Sequence, residues 1–215
     1  MELDLEEQER IDELKAFWSR WGRWITIGLT LVLFAFAGWR GWQWWQARQA
    51  TAAAEIAEQV EDALRRGQLS EAAPLAASLM NNYSASVPAP LAALRIARAQ
   101  VDAGDGKAAR KTLSWVLEHS KDPGIQAVAR IRLAGLLLDE AVAEPALLAE
   151  GLKLLEGEPP AELAGLWLDR RGDLLVESGQ TEAARKAWSA ALERLDAQSP
   201  LRPLVQLKFE TLGGG

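Results

Sequence analysis

The side chains able to move a proton or hold a ligand are few in this chain, and they stand apart. His119, the only histidine, lies beside Ser120 at the end of a helical stretch. A general base needs a substrate proton within reach and an orienting partner. The sequence supplies His119 with no defined partner, whereas a donor at a helix C-terminus satisfies the last carbonyls. Carboxylates pair at Asp139-Glu140 and again at Asp169 and Asp173. The second pair, four residues apart, shares a helix face, where carboxylates are commonly solvated or paired with neighbours such as Arg170 and Arg132. Gly104-Asp105-Gly106 follows no strand, so it reads as a helix–helix turn and not as a phosphate-binding loop. The chain has no cysteine, which removes thiolate nucleophiles, disulfides and thiolate-held metals. No spacing fits a metal site. These residues make no catalytic constellation, so the expectation is a protein that is not an enzyme and needs no cofactor.

Charge narrows the binding partners. The formal net charge is −6. Residues 1–23 carry seven acidic and four basic groups, a net of −3, and the remainder carries the other −3. Phosphate recognition needs a net basic face, so nucleic acid is not an expected partner.

The first element that must position anything is an uncharged run, Trp24–Trp39. Trp18, Trp21 and Trp24 precede it; Trp39, Trp42, Trp44 and Trp45 close it, so seven of ten tryptophans fall within 28 residues. Indole rings favour the headgroup level of a bilayer, and two such belts around an apolar run predict a membrane span. Its rise is about 24 Å against a hydrocarbon core of about 30 Å. Arg23 and Arg40 can close the difference by snorkelling. A cleaved signal peptide does not fit, since the leader is acidic and tryptophans stand where small residues should define a cleavage site. Arg10, Lys15, Arg20 and Arg23 precede the span, and only Arg40 and Arg48 follow closely, which predicts a cytoplasmic N-terminus. The predicted organisation is an acidic leader over 1–23, a transmembrane helix over 24–45, a helical repeat domain over 46–212 and a flexible glycine tail over 213–215.

Beyond the span, alanine and leucine predominate and strand signals are nearly absent, which predicts an all-α fold. Internal repeats are visible. Arg95-Ile96-Ala97, Arg132-Leu133-Ala134 and Arg170-Arg171-Gly172 recur at intervals of 37 and 38 residues. Gly67, Gly104 and Gly179 form a parallel series, with Ala141 standing in for the middle unit. Five residues after each comes Ala72, Ala109, Ala146 or Ala184. The pattern predicts about four stacked helical hairpins. The glycine ends a first helix in a left-handed turn, and the alanine lets the second helix approach closely. Leu64, Val101, Leu138 and Val176 fall late in the first helices. Leu113, Val116 and Leu117, then Trp188, Ala191 and Leu192, make the apolar face of second helices. Neither face of a hairpin is buried alone, so neighbours must stack. Residues 201–212 read as a terminal helix over the last repeat.

These residues resemble the tetratricopeptide family, whose unit is about 34 residues. Gly172, Gly179, Ala184, Trp188 and Ala191 match its small and aromatic signature best. The early tryptophan and tyrosine of that pattern are missing, and the middle repeat is out of register near Glu150. Across nearly the whole chain a closer resemblance holds. The acidic leader, the span ending in Gly38-Trp39-Arg40-Gly41-Trp42 and the segment Arg170–Trp188 are similar to the ancillary SecYEG translocon subunits of proteobacteria. That resemblance implies a single-pass protein of the bacterial inner membrane with its C-terminal domain in the periplasm. It also implies association with the Sec translocon and with a membrane-anchored, prolyl-isomerase-like periplasmic chaperone, and a role in helping secreted polypeptides leave the channel.

The tetratricopeptide resemblance further implies a concave groove lined by the first helices. Its positions carry over to Leu91, Leu94, Arg98 and Val101; to Val128, Ile131, Gly135 and Leu138; and to Leu166, Asp169, Asp173 and Val176. Such a lining, apolar with one basic and two acidic groups, suits an apolar, basic polypeptide segment. The same side chains can instead pack on neighbouring helices or on the terminal helix. An open groove favours a client-binding adaptor; a groove filled by the chain's own C-terminal helix favours an inner-membrane scaffold for envelope assembly.

Overall fold

A computed structural model describes the backbone of residues 5–212, with side chains described for residue 13 and from residue 15 onward. The expected glycine tail lies outside the described residues. The described residues form nine α-helices and a short 3-10 turn, with no strand among them.

Helix α1 runs Leu5–Arg65. It contains no proline, and its glycines are isolated, so nothing in the sequence breaks the hydrogen-bond ladder. The chain divides into two units after Thr51, and α1 contributes to both. In the first unit the apolar stretch is long enough to cross a bilayer. Trp24, Leu31, Val32, Phe34 and Phe36 are exposed along it, so no protein core claims them. The Thr26 hydroxyl donates to the Gly22 carbonyl and the Thr30 hydroxyl to the Thr26 carbonyl, each at 2.8 Å. Polar side chains within the run are thereby satisfied without water. The Arg48 guanidinium lies 4.0 Å from the Trp44 ring centroid, a cation–π contact at the end of the tryptophan belt.

In the second unit the end of α1 pairs with α2 (Leu69–Asn82), α3 (Pro88–Asp102) with α4 (Gly106–His119), α5 (Pro123–Glu140) with α6 (Leu147–Leu154), and α7 (Ala164–Glu177) with α8 (Thr181–Arg194); α9 (Arg202–Thr211) follows. Three of the four hairpins turn alike. Gly67, Gly104 and Gly179 have φ of 71°, 79° and 74°. Their N–H groups donate to the carbonyls of Leu64, Val101 and Val176, and the next residue's N–H reaches Ala63, Gln100 or Leu175. This pair of bonds closes the helix end and requires the left-handed conformation that glycine tolerates. Four residues past each second-helix N-cap, Ala72, Ala109 and Ala184 are fully buried.

The third hairpin departs from this pattern. Ala141 is right-handed (φ −64°), so the turn cannot close in the same way, and α6 is only eight residues long. Ala146 is its exposed N-cap and not a contact residue. Close approach falls to Gly151 instead, where an added Cβ would stand 2.9 Å from Leu174 Cδ2. The shift in register near Glu150 thus has a physical source in the longer turn.

Each core cluster crosses a hairpin boundary. Val60, Ala72 and Leu79 pack with Ile96 of the next hairpin; Leu94, Leu113 and Val116 with Leu133 and Leu137; Ile131 and Ala134 with Trp167 and Leu174. Trp188, 4% exposed, fills the last hairpin and packs with Val205 of α9. Its indole N–H donates to the Asp169 carbonyl at 3.2 Å, and it lies so close over Gly172 that a Cβ there would meet indole Cδ1 at 2.5 Å. The stack is the quasi-one-dimensional array that the repeats imply.

The terminal helix does more than cover the last hairpin. The arginines 95, 132 and 170 each reach back to the preceding first helix. Arg95 pairs with Glu61; Arg132 Nη1 donates to the Leu94 carbonyl at 2.8 Å; Arg170 lies over Gly135. Lys208, a further 38 residues along, does the same with Asp169 and Asp173. Helix α9 is therefore laid down as the first helix of a fifth unit.

Candidate protein-binding groove

Helices α3, α5 and α7 lie side by side in chain order, and the residues expected to line a groove fall on them unevenly. Leu91 and Val101 are exposed at 43% and 39%, as is Arg98. Val128 is half-buried against the core of the second hairpin. Leu94 and Ile131 are buried in that core and the next. Gly135 is buried beneath Arg170, with the guanidinium 3.3 Å from where its Cβ would be. Leu138 and Leu166 are half-buried around Trp167 and Leu174, and Val176 is half-buried beside Trp188. The exposed apolar positions are thus Leu91 and Val101 on α3, with half-buried ones on α5 and α7.

The acidic end of the lining is occupied. Lys208 Nζ lies 2.8 Å from Asp169 Oδ1 and 2.6 Å from Asp173 Oδ1, and Arg170 Nη1 is 3.4 Å from Asp173 Oδ2. Asp169 is 5% exposed. Burial raises the Asp173 carboxyl above its ordinary range, and the Lys208 hydrogen bond pulls against that rise while the Asp169 carboxylate adds to it. The pair expected to attract a basic segment has such a segment already, supplied by α9. Sequence reasoning missed Lys208, although the step of 38 residues from Arg170 points to it.

At the other end the balance is basic. Arg98 Nε donates to Asp102 Oδ2 at 3.0 Å. Arg132 bonds only the Leu94 carbonyl. Partial burial, and then the nearby Arg98 cation, push its guanidinium below the usual range.

The other candidate residues have structural roles. His119 stacks on Trp115, with ring centroids 4.4 Å apart, and its Nδ1 lies 2.9 Å from the Trp115 carbonyl, as expected for a ring serving a helix end. Glu140 and Glu150 share Arg110, tying α4 to α5 and α6. Asp139 is exposed. Asp105 caps α4 by accepting from the Ala108 N–H, so the glycine-rich turn serves the helix. Among the described residues no group of three acidic or histidine side chains is placed to hold a metal.

Residues 15–214 match a family model described as a tetratricopeptide repeat-like domain. The chain is 33% identical over 213 residues to the ancillary SecYEG translocon subunit of Neisseria gonorrhoeae (strain ATCC 700825 / FA 1090), covering 99% of this chain and 100% of that relative. The protein of the same name from Escherichia coli (strain K12) is 28% identical over 215 residues, covering 99% of each. That from Aggregatibacter actinomycetemcomitans is 26% identical over 212 residues, covering 99% and 100%.

Proposed function

This chain belongs to the ancillary SecYEG translocon subunit family, with its tetratricopeptide repeat-like domain, and on that premise we propose that it is a membrane-anchored accessory subunit of the Sec translocon. The apolar helix flanked by tryptophans anchors residues 24–45 in the inner membrane. The larger number of basic residues before the span supports a cytoplasmic N-terminus and a periplasmic repeat domain. The repeat domain binds protein: a partner chaperone of the membrane-anchored, prolyl-isomerase-like type, and secreted polypeptides as they emerge.

One observation carries this reading. A stack of helical hairpins leaves Leu91, Arg98 and Val101 exposed on α3, with Val128 half-buried on the adjacent first helix α5, a surface suited to an extended or helical segment. A second reading, a scaffold for envelope assembly that binds no client, draws support from α9, which fills the acidic positions of the last unit. That occupation is confined to α7, so the adaptor reading keeps the α3–α5 surface.

Photo-crosslinkers placed at residues 91 and 101 of the full chain in native membranes, read by mass spectrometry, test the proposal. Translocon subunits, the chaperone and secretory clients are the expected products. Crosslinks to envelope-assembly factors alone would overturn the adaptor reading in favour of the scaffold.

A further inference from the structure

The two ends of the first-helix surface carry opposite charge surpluses, and among the described residues only one is met. On α7 the surplus is negative, and Lys208 meets it with two ion pairs. On α3 and α5 it is positive: of the two guanidinium groups Arg98 and Arg132, only Arg98 is paired, with Asp102. Among the described residues Arg132 has no carboxylate within ion-pairing distance. A guanidinium presents five N–H donors in a planar fork, and the Leu94 carbonyl takes one, leaving the rest to solvent or to a ligand. Arg132 is exposed to an incoming ligand, and the nearby Arg98 cation disfavours its charge. The neighbouring side chains are apolar: Leu91 and Val101, exposed on α3, and Val128, half-buried one turn before Arg132 on α5.

We infer that the α3–α5 surface takes an acidic polypeptide segment, one carboxylate bridging Arg98 and Arg132 while flanking apolar side chains lie on Leu91, Val101 and Val128. The inference rests on the proposed role of this surface in binding protein, and it sets the charge of the ligand opposite to the expectation drawn from Asp169 and Asp173. Those two acids attract a lysine, but the lysine is the chain's own. A planar guanidinium pair recognises carboxylate by directed, charge-assisted hydrogen bonds, so the ligand's charge must be held at a fixed point between apolar contacts. That arrangement suits a polypeptide better than a diffuse anionic surface.

The test uses the full chain in neutral detergent micelles and two short dye-labelled peptides. In one, leucine and valine flank a central Asp-Glu; the other carries Asn-Gln there. Fluorescence anisotropy should report roughly tenfold tighter binding of the acidic peptide, as a charge-assisted hydrogen bond supplies. The preference should disappear in Arg132→Gln and Arg98→Gln and persist in Arg132→Lys, with helicity unchanged. Equal binding of both peptides would overturn the inference and leave the protein-binding surface standing; binding of neither would overturn both. A preference surviving in both glutamine variants would also overturn it. Should Arg132→Gln lose helicity, Arg98→Glu decides, because Arg98 bonds only within its own helix. That variant should reverse the preference toward a Lys-Lys peptide, and failure to do so counts against the inference. Displacement of the acidic peptide by phosphatidylglycerol vesicles from the native chain, but not by phosphatidylcholine vesicles, would reassign the cation pair to lipid.

Discussion

Replacing Lys208 with methionine isolates the ion pairs that join α9 to α7. The substitution keeps the stem over Trp188, whose ring centroid is 5.8 Å from the ammonium, and removes only the charge. Two carboxylates then lose their shared cation. Breaking a buried ion pair by removing one partner costs about 3–5 kcal/mol. Lys208 is 24% exposed against 7% and 16% for the two aspartates, so water can partly replace it, and a loss of about 2–3 kcal/mol is expected near neutral pH. The pH dependence carries the sharper test. Burial already raises the Asp173 carboxyl in the folded state, so protonation favours folding. Its stabilising contribution is full below the unfolded carboxyl range, near pH 4, and is lost as pH rises through the folded value. Removing Lys208 removes the group that opposes the rise, so Asp173 titrates higher still. The variant should therefore be most destabilised near pH 7 and approach the native chain as pH falls toward 4. Chemical denaturation of the full chain in micelles, followed by circular dichroism across that range, measures the difference. A difference that is absent, or the same at every pH, would refute the assignment of Lys208 as the counter-ion of these acids.

Four further outcomes follow from packing and exposure. Trp188→Ala should destabilise the helical unit by about 3–5 kcal/mol, as for large core truncations, because the indole fills the space over Gly172; an unchanged melting midpoint would contradict that role. Gly179→Val should cost several times more than Ala141→Val in denaturation experiments, since only Gly179 holds a positive φ that a β-branched side chain resists. Leu91→Glu with Val101→Glu should abolish capture of an unfolded secretory protein while leaving the circular dichroism spectrum unchanged. The equivalent pair at Leu94 and Ile131 should reduce helicity, because both side chains are in the core.

Where the sequence was legible, a residue type did something no other could do as well. Glycine at 67, 104 and 179 marks left-handed helix ends, and alanine at 72, 109 and 184 marks close approach, so the phase of three hairpins was readable directly. The third was not, because Ala141 closes no such turn and the contact moved to Gly151, a change of spacing that only packing reveals. Leu94 and Ile131 illustrate another limit. First helices in a stack are covered on most sides, so their apolar residues carry no mark of which side stays open. Lys208 escaped notice because the repeated arginine becomes a lysine in a helix that seemed only to be a lid. The groove positions themselves came from the resemblance, and burial then divided them into core and surface.

The cationic residues at 95, 132, 170 and 208 give the array joints of different kinds. Arg95 meets Glu61 near the surface, where its side chain is 59% exposed, so dissolved salt weakens that joint. Arg132 holds a backbone carbonyl, which ions screen much less. Lys208 closes the far end through partly buried acids, sheltered from salt. Ionic strength therefore loosens the first joint of the stack and spares the last. As salt rises, such an array would soften at one end without coming apart at the other.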